Sequence, residues 1–263
     1  MSAAVATLPL RARVPGAVAV DVRELDERSV VWVEVDASEH TGALSSVSSG
    51  QIQAGARHAR DEQLPLVVVV RSSGADIREG FSALHGWGLA ARAIADCSGI
   101  VPIVMVVDGP AVSGPALLLG LADVVVMTEG SYAFVSGPTM VAEFTGEVLD
   151  NAELGGSASH ARYTGAVSLV TPDLDTAVDA VAGLLAYLPS HNDEEPPIWP
   201  TDDPIERETP EAGAVIPASS TGSYDVRDVI RALVDDGEML ELRARWAANV
   251  VTAFATIGGM PIG

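Results

Sequence analysis

Residues 66–80 read LVVVVRSSGADIREG, and residues 102–116 read PIVMVVDGPAVSGPA. Each is an apolar run of strand length that passes into a glycine-containing turn. Unbroken apolar runs of this length mark strands covered on both faces, as in a parallel sheet flanked by helices. Strands are therefore expected at 66–71 and 102–107. Between them, residues 81–95 carry Leu84, Trp87, Leu89, Ala90 and Ile94 at helical spacing. A strand, a crossover helix and a parallel strand form a right-handed unit. The fold class is α/β.

Working outward, VVWVEVD at 30–36 predicts a strand and residues 51–60 a helix. A helix starts at 115–122, with Pro115 at a first position that needs no N–H. A strand follows at 124–128. The segment 172–189 is helical, with Asp175 and Thr176 at its N-cap and Pro189 as its stop. Residues 190–223 are rich in Pro, Asp, Glu and Ser without periodicity. They read as an exposed acidic linker whose carboxylates are a solvated charge run. Val226, Val229, Ile230 and Leu233 then share one helix face, and 239–263 reads as two strands around a turn. The expected domains are 1–189, the linker 190–223, and a short unit at 224–263.

The chain has 263 residues and a formal net charge of −21. Such an acidic surface argues against nucleic acid and anionic membranes as partners. All 15 Lys-plus-Arg residues are Arg, which removes lysine bases and Schiff-base chemistry. The single cysteine, Cys97, excludes an internal disulfide and a cysteine-rich zinc site. Ser98 and Gly99 place it by a helix end in a structural role. No metal is expected. MSAAVATLPLRARVPG lacks the apolar core of a secretory leader, and no run reaches membrane-span length. The expected compartment is the cytoplasm.

Turns at the carboxyl ends of parallel strands are where α/β sheets bind ligands, because backbone N–H groups there are free. The first turn offers Gly74, Ala75 and Asp76; the second offers Val112, Ser113 and Gly114. Two such N–H groups converging on one point would polarise a thioester carbonyl and stabilise its enolate. Small residues that merely permit close packing are the alternative.

GADIREG, then PIVMVVDGPAVSGPA, then ADVVVM resembles the crotonase superfamily. Beyond it, GPTMVAEFTGE (137–147), ELGGSASH (153–160) and LLAYLPSHN (184–192) resemble the carboxyltransferase subunit of biotin-dependent acyl-CoA carboxylases. The resemblance spans about residues 18–263. It implies a crotonase-like ββα spiral for the N-terminal half, followed by the opening helix and hairpin of a second, truncated half. It places the oxyanion donors on Ala75 and Gly114, with Gly74, Ser113, Gly137, Pro138 and His160 on the substrate side. His160 is open to either a ligand-side or a structural hydrogen-bonding role. The superfamily's hydratase glutamates correspond to Leu117 and Thr139, which excludes hydratase chemistry.

The implied activity is transfer of carboxylate from carboxybiotin to the α-carbon of an acyl thioester. Biotin would be carried by a partner, with acyl-CoA or an acyl carrier protein as thioester donor. The implied partners are a second-half carboxyltransferase chain and the biotin carrier and biotin carboxylase subunits, in an obligate oligomer. Val250, Val251, Phe254 and Ile257 are the apolar side chains expected to lie uncovered. A malonyl-thioester decarboxylase component and a non-catalytic scaffold subunit are the alternatives. Three departures from the family stand out. Asp76 replaces its usual Arg, Ser113-Gly114 replaces a glycine pair, and residues 38–60 are poor in basic side chains. Arg57, Arg60 and Arg78 are the nearest cations for a phosphate. His85 and Trp87 are candidates for an acyl pocket, or for core or partner contacts. Asp76 and Glu79 suit capping and solvated roles better than metal binding or catalysis, since a carboxylate there would repel an enolate.

Overall fold

The computed structural model describes residues 17–263, so the reading of the opening segment as lacking a leader lies outside it. The described chain begins as an antiparallel hairpin of β1 (Val18–Leu25) and β2 (Arg28–Val35). The reading of the sequence missed β1. Its outer face is polar, and its turn at Asp26 and Glu27 takes positive φ without a glycine to mark it.

Helix α1 (Ser46–Asp61) is longer than expected, because Ser45 caps it by accepting the Ser48 N–H at 3.0 Å. Then come β3 (Leu66–Ser72), α2 (Phe81–Ala95), β4 (Ile103–Val112), α3 (Gly114–Leu118) and β5 (Val124–Thr128). The short β6 (Tyr132–Phe134) precedes α4 (Pro138–Thr145), α5 (Asn151–Gly155) and α6 (Ser157–Ser159). β7 (Leu169–Thr171) and α7 (Leu174–Leu185) follow. The strand order is β1-β2-β3-β4-β5-β7, parallel from β2 onward, with β6 pairing the far end of β4.

The sheet is covered on both faces. Val31, Val33, Val68, Val70, Met105 and Val107 point to α1 and α2, where they meet Ile52, Ala56, Ala90 and Ile94. Val30, Trp32, Val67, Val69, Val104 and Val106 face α7 through Ala177, Val181, Leu184 and Leu185. Each fully buried Val or Leu of this kind contributes about 1.5–3 kcal/mol relative to exposure. Cys97 belongs to the first layer: its thiol donates to the Ala56 carbonyl at 3.1 Å, and burial pushes its pKa up to about 11. It is structural and not a nucleophile.

The N-cap of α7 is Asp173, whose carboxylate accepts both the N–H and the hydroxyl of Thr176 at 2.8 Å. Asp175 and Thr176, expected at that cap, lie inside the helix. Residues 190–223 contain one regular element, α8 (Pro210–Val215), and their acidic side chains are mostly exposed. The segment is nevertheless anchored. The Trp199 indole donates to the Ala186 carbonyl at 3.0 Å and stacks on Tyr187 at 4.8 Å. Arg207 donates to the Ala232 and Val234 carbonyls, both at 3.0 Å, at the end of α9 (Val226–Leu233).

The last residues form three strands, β8 (Met239–Leu242), β9 (Thr252–Ile257) and β10 (Met260–Ile262). Gly258 and Gly259, both at positive φ, make the two-residue hairpin turn between β9 and β10. Phe254 stacks on Tyr187, and Val251 and Ile257 are half-buried; of the four apolar residues expected to be uncovered, only Val250 is exposed.

Candidate functional site

The ends of β3 and β4 deliver the two glycine turns side by side. Ser72, the last residue of β3, is buried. Its hydroxyl donates to the Gly42 carbonyl at 2.6 Å and accepts the Gly74 N–H at 3.2 Å. Gly74 adopts φ +113, and a β-carbon on it would lie 3.3 Å from the Val112 carbonyl oxygen. The second turn is positioned by β6, because the Ser113 N–H donates to the Phe134 carbonyl at 2.9 Å. Ser113 itself takes φ +63 and ψ −119, in a region that favours glycine.

Each turn presents one unused backbone donor. Leu44 occupies the groups on either side of Ala75, bonding the Gly74 carbonyl and the Asp76 N–H. The Ala75 N–H has no acceptor among the described residues. Gly114 is the first residue of α3, so its N–H has no acceptor within that helix. Ala75 is exposed and Gly114 half-buried, so an oxygen atom has an open approach to the turns.

The nearby carboxylates are engaged elsewhere. Asp76 is buried, and its two oxygens accept from the Arg78 guanidinium at 2.8 and 2.6 Å. That guanidinium, with the Arg78 N–H, holds the Asp76 pKa down at about 2. Glu79 accepts the Ser46 N–H at 2.7 Å, at the start of α1. Both therefore stabilise the loop, as their capping reading required. Arg78 is committed to Asp76 and Arg60 to Asp61, whereas Arg57 has no ion pair among the described residues. Leu117 and Thr139, both exposed, bring no carboxylate to the hydratase positions.

Gly137 caps α4 from an extended backbone, with Pro138 at the first helical position. A β-carbon on Gly137 would lie 3.5 Å from the Phe134 ring, so Gly137 and the second turn share Phe134 as a neighbour. Helix α4 has no buried residue; Phe144 is 84% exposed. His160 uses both ring nitrogens, Nε2 with the Ala133 carbonyl at 2.7 Å and Nδ1 with the Thr164 hydroxyl at 2.9 Å. It thereby fastens β6 to the π turn at His160–Thr164, and it also lines a cavity of about 430 Å³ with Ala116, Leu119 and Phe134. His85 is exposed on α2, while the ring of Trp87 lies against Gly114.

Leu44 and Phe134 are the contributors that the reading of the sequence missed. Their roles come from main-chain hydrogen bonds, which leave no mark in residue type. Among the described residues, no group of three or more His, Cys, Asp or Glu side chains could hold a metal ion, and no helix is long and apolar enough to cross a membrane.

A model of the carboxyl transferase domain matches residues 17–263. The 12S subunit of methylmalonyl-CoA carboxyltransferase from Propionibacterium freudenreichii subsp. shermanii is 35% identical over 199 residues. That alignment covers 76% of this chain and 38% of the subunit. The alpha subunit of methylmalonyl-CoA decarboxylase from Veillonella parvula is 31% identical over 240 residues, 91% of this chain and 47% of that subunit. A crystal structure of the transcarboxylase 12S hexamer, with methylmalonyl-coenzyme A and methylmalonic acid bound, superposes with a TM-score of 0.91 at 31% identity. The superposition covers 94% of this chain and 48% of that one. The fold is thus the crotonase-like fold of the 12S protein, and the chain spans less than half the length of these relatives.

Proposed function

The chain belongs to the carboxyl transferase domain family, and from that premise we propose that it is the acyl-thioester-binding part of a carboxyltransferase. The observation that carries this reading is the pair of adjacent turns, each with one unused backbone N–H, on Ala75 and Gly114. The thioester carbonyl oxygen sits at these donors. When the α-proton leaves, the enolate charge gathers on that oxygen, where the two dipoles stabilise it in advance of reaction. Carboxybiotin on a partner protein would supply the carboxyl group, and its ring nitrogen would take up the α-proton as the bond from that nitrogen to the carboxyl carbon is exchanged for one to the α-carbon. Engagement of Asp76 by Arg78 keeps a free carboxylate out of the turn, which would otherwise oppose the developing charge.

A partner completes the site. Of the three arginines singled out in the sequence for a phosphate, only Arg57 lacks an ion pair among the described residues, so most contacts to a coenzyme A phosphate come from another chain, a second carboxyltransferase half. Exposed apolar side chains support an obligate oligomer: Ile77 is 91% exposed and Phe81 80% after the first turn, and Val148 is 87% exposed after α4. Biotin carrier and biotin carboxylase subunits are the further partners. The cytoplasm remains the proposed compartment.

The similarity to a decarboxylase alpha subunit supports a second reading, in which the same donors stabilise the enolate formed by loss of CO₂. Both readings need Gly114. With the chain and its genetic neighbours assembled, Gly114→Val should lower turnover about a hundredfold. Near-normal turnover by a folded Gly114→Val protein would remove this site.

A further inference from the structure

We propose that the indole N–H of Trp87 is a third hydrogen-bond donor to the thioester oxygen held at the two turns. The proposal rests on the reading of Ala75 and Gly114 as that oxygen's site. Trp87 lies on α2 and packs against the core beneath α3. Its Nε1 is shielded from solvent and has no hydrogen-bond partner among the described residues. The ring is pressed against the second turn: a β-carbon on Gly114 would lie 2.6 Å from Nε1, 2.9 Å from Cε2 and 3.0 Å from Cδ1. The Trp87 Nε1 therefore lies beside Gly114, and neither it nor the Gly114 N–H has an acceptor among the described residues.

Two of the other three indoles show the fold satisfying such groups, and the third, that of Trp246, belongs to an exposed residue. The Trp32 Nε1 donates to Glu34 at 3.1 Å, and that of Trp199 donates to the Ala186 carbonyl at 3.0 Å. An orphaned buried donor works against folding, and a phenyl ring would fill apolar space without one. An acceptor arriving at Gly114 relieves the mismatch. A carbonyl oxygen has two lone pairs and gains negative charge as the enolate forms, so it suits several converging donors. Because Nε1 is shielded from solvent, the ring shifts to meet an oxygen that arrives through the open side of the turns. Trp87 thus joins a side chain of the helical layer to a site otherwise built from main chain.

The test uses the full chain with ¹⁵N-labelled tryptophan, assembled with an unlabelled second carboxyltransferase half and titrated with methylmalonyl-coenzyme A and, separately, with coenzyme A, which lacks the thioester oxygen. Trp87→Phe identifies the Trp87 indole resonance by its loss. The expected result is a downfield shift of that resonance with the thioester but not with coenzyme A. Trp87→Phe should bind the thioester about tenfold more weakly. It should bind coenzyme A as the wild type does, and it should melt no lower than the wild type, since it removes an orphan and keeps a ring. Thioester binding with an unmoved Trp87 signal, or with undiminished affinity in Trp87→Phe, overturns the third donor alone. So does a Trp87 signal already bonded to an ordered water and unaltered by the thioester. Failure of the wild-type chain, assembled with a second carboxyltransferase half, to bind the thioester at millimolar concentration overturns the oxygen site and the third donor together.

Discussion

Leu44 forms a one-residue parallel bridge with Ala75: its N–H donates to the Gly74 carbonyl at 2.8 Å, and its carbonyl accepts the Asp76 N–H at 2.9 Å. The bridge fixes the first turn while leaving the Ala75 N–H unused. It depends on Gly42, which adopts φ +70 and accepts the Ser72 hydroxyl through its carbonyl. A β-carbon on Gly42 would overlap the Arg71 carbonyl oxygen. Gly42→Ala is expected to destabilise the chain by at least about 2 kcal/mol, read from its denaturation midpoint. Thioester binding should weaken as the bridge shifts. A variant as stable as the wild type would show that the close approach at Gly42 is not maintained in solution.

Ser113 is a non-glycine residue at φ +63 and ψ −119. Relief of its backbone strain in Ser113→Gly outweighs the added freedom of the unfolded chain, for a net gain of about 1 kcal/mol. Thermal unfolding should move up by about 2–4 °C. A lower melting temperature would mean that the Ser113 side chain makes a stabilising contact in solution that outweighs the strain.

The Asp76–Arg78 pair makes stability depend on pH. Arg78 holds the Asp76 carboxyl at about 2 in the folded chain, below its ordinary value of 3.8. The unfolded chain therefore takes up a proton first as pH falls. The contribution is fully present above about pH 4 and is lost as pH drops through about 2. Asp76→Asn lacks it, so the gap in melting temperature between wild type and Asp76→Asn should close over that interval. A gap independent of pH would assign the effect of the substitution to packing.

How much of this was legible in the sequence follows from what each feature depends on. The apolar runs at 66–70 and 103–107 fixed a buried parallel sheet because no other environment accepts so many adjacent valines and isoleucines. The two turns were legible for the same reason, since they sit where those runs stop. β1 was hidden by its polar outer face and by a turn built from Asp26 and Glu27 without glycine. Leu44, Phe134 and the Ser72–Gly42 link act through backbone groups brought together by the sheet, so no residue type announces them. His160 was visible as a motif, but its two ring partners emerged only with the fold. Trp87 was visible as an aromatic residue on α2; its orphaned N–H is a property of three-dimensional packing.

The fate of the carboxyl group tests the central claim most directly. The chain, assembled with a second carboxyltransferase half supplied as a separate chain, is given methylmalonyl-coenzyme A labelled in its free carboxyl and biotin. The account predicts biotin-dependent formation of labelled carboxybiotin, in equal amount to the propionyl-coenzyme A produced. Release of all the label as CO₂ without any need for biotin would contradict carboxyl transfer and leave decarboxylation, and an unconsumed thioester would contradict both.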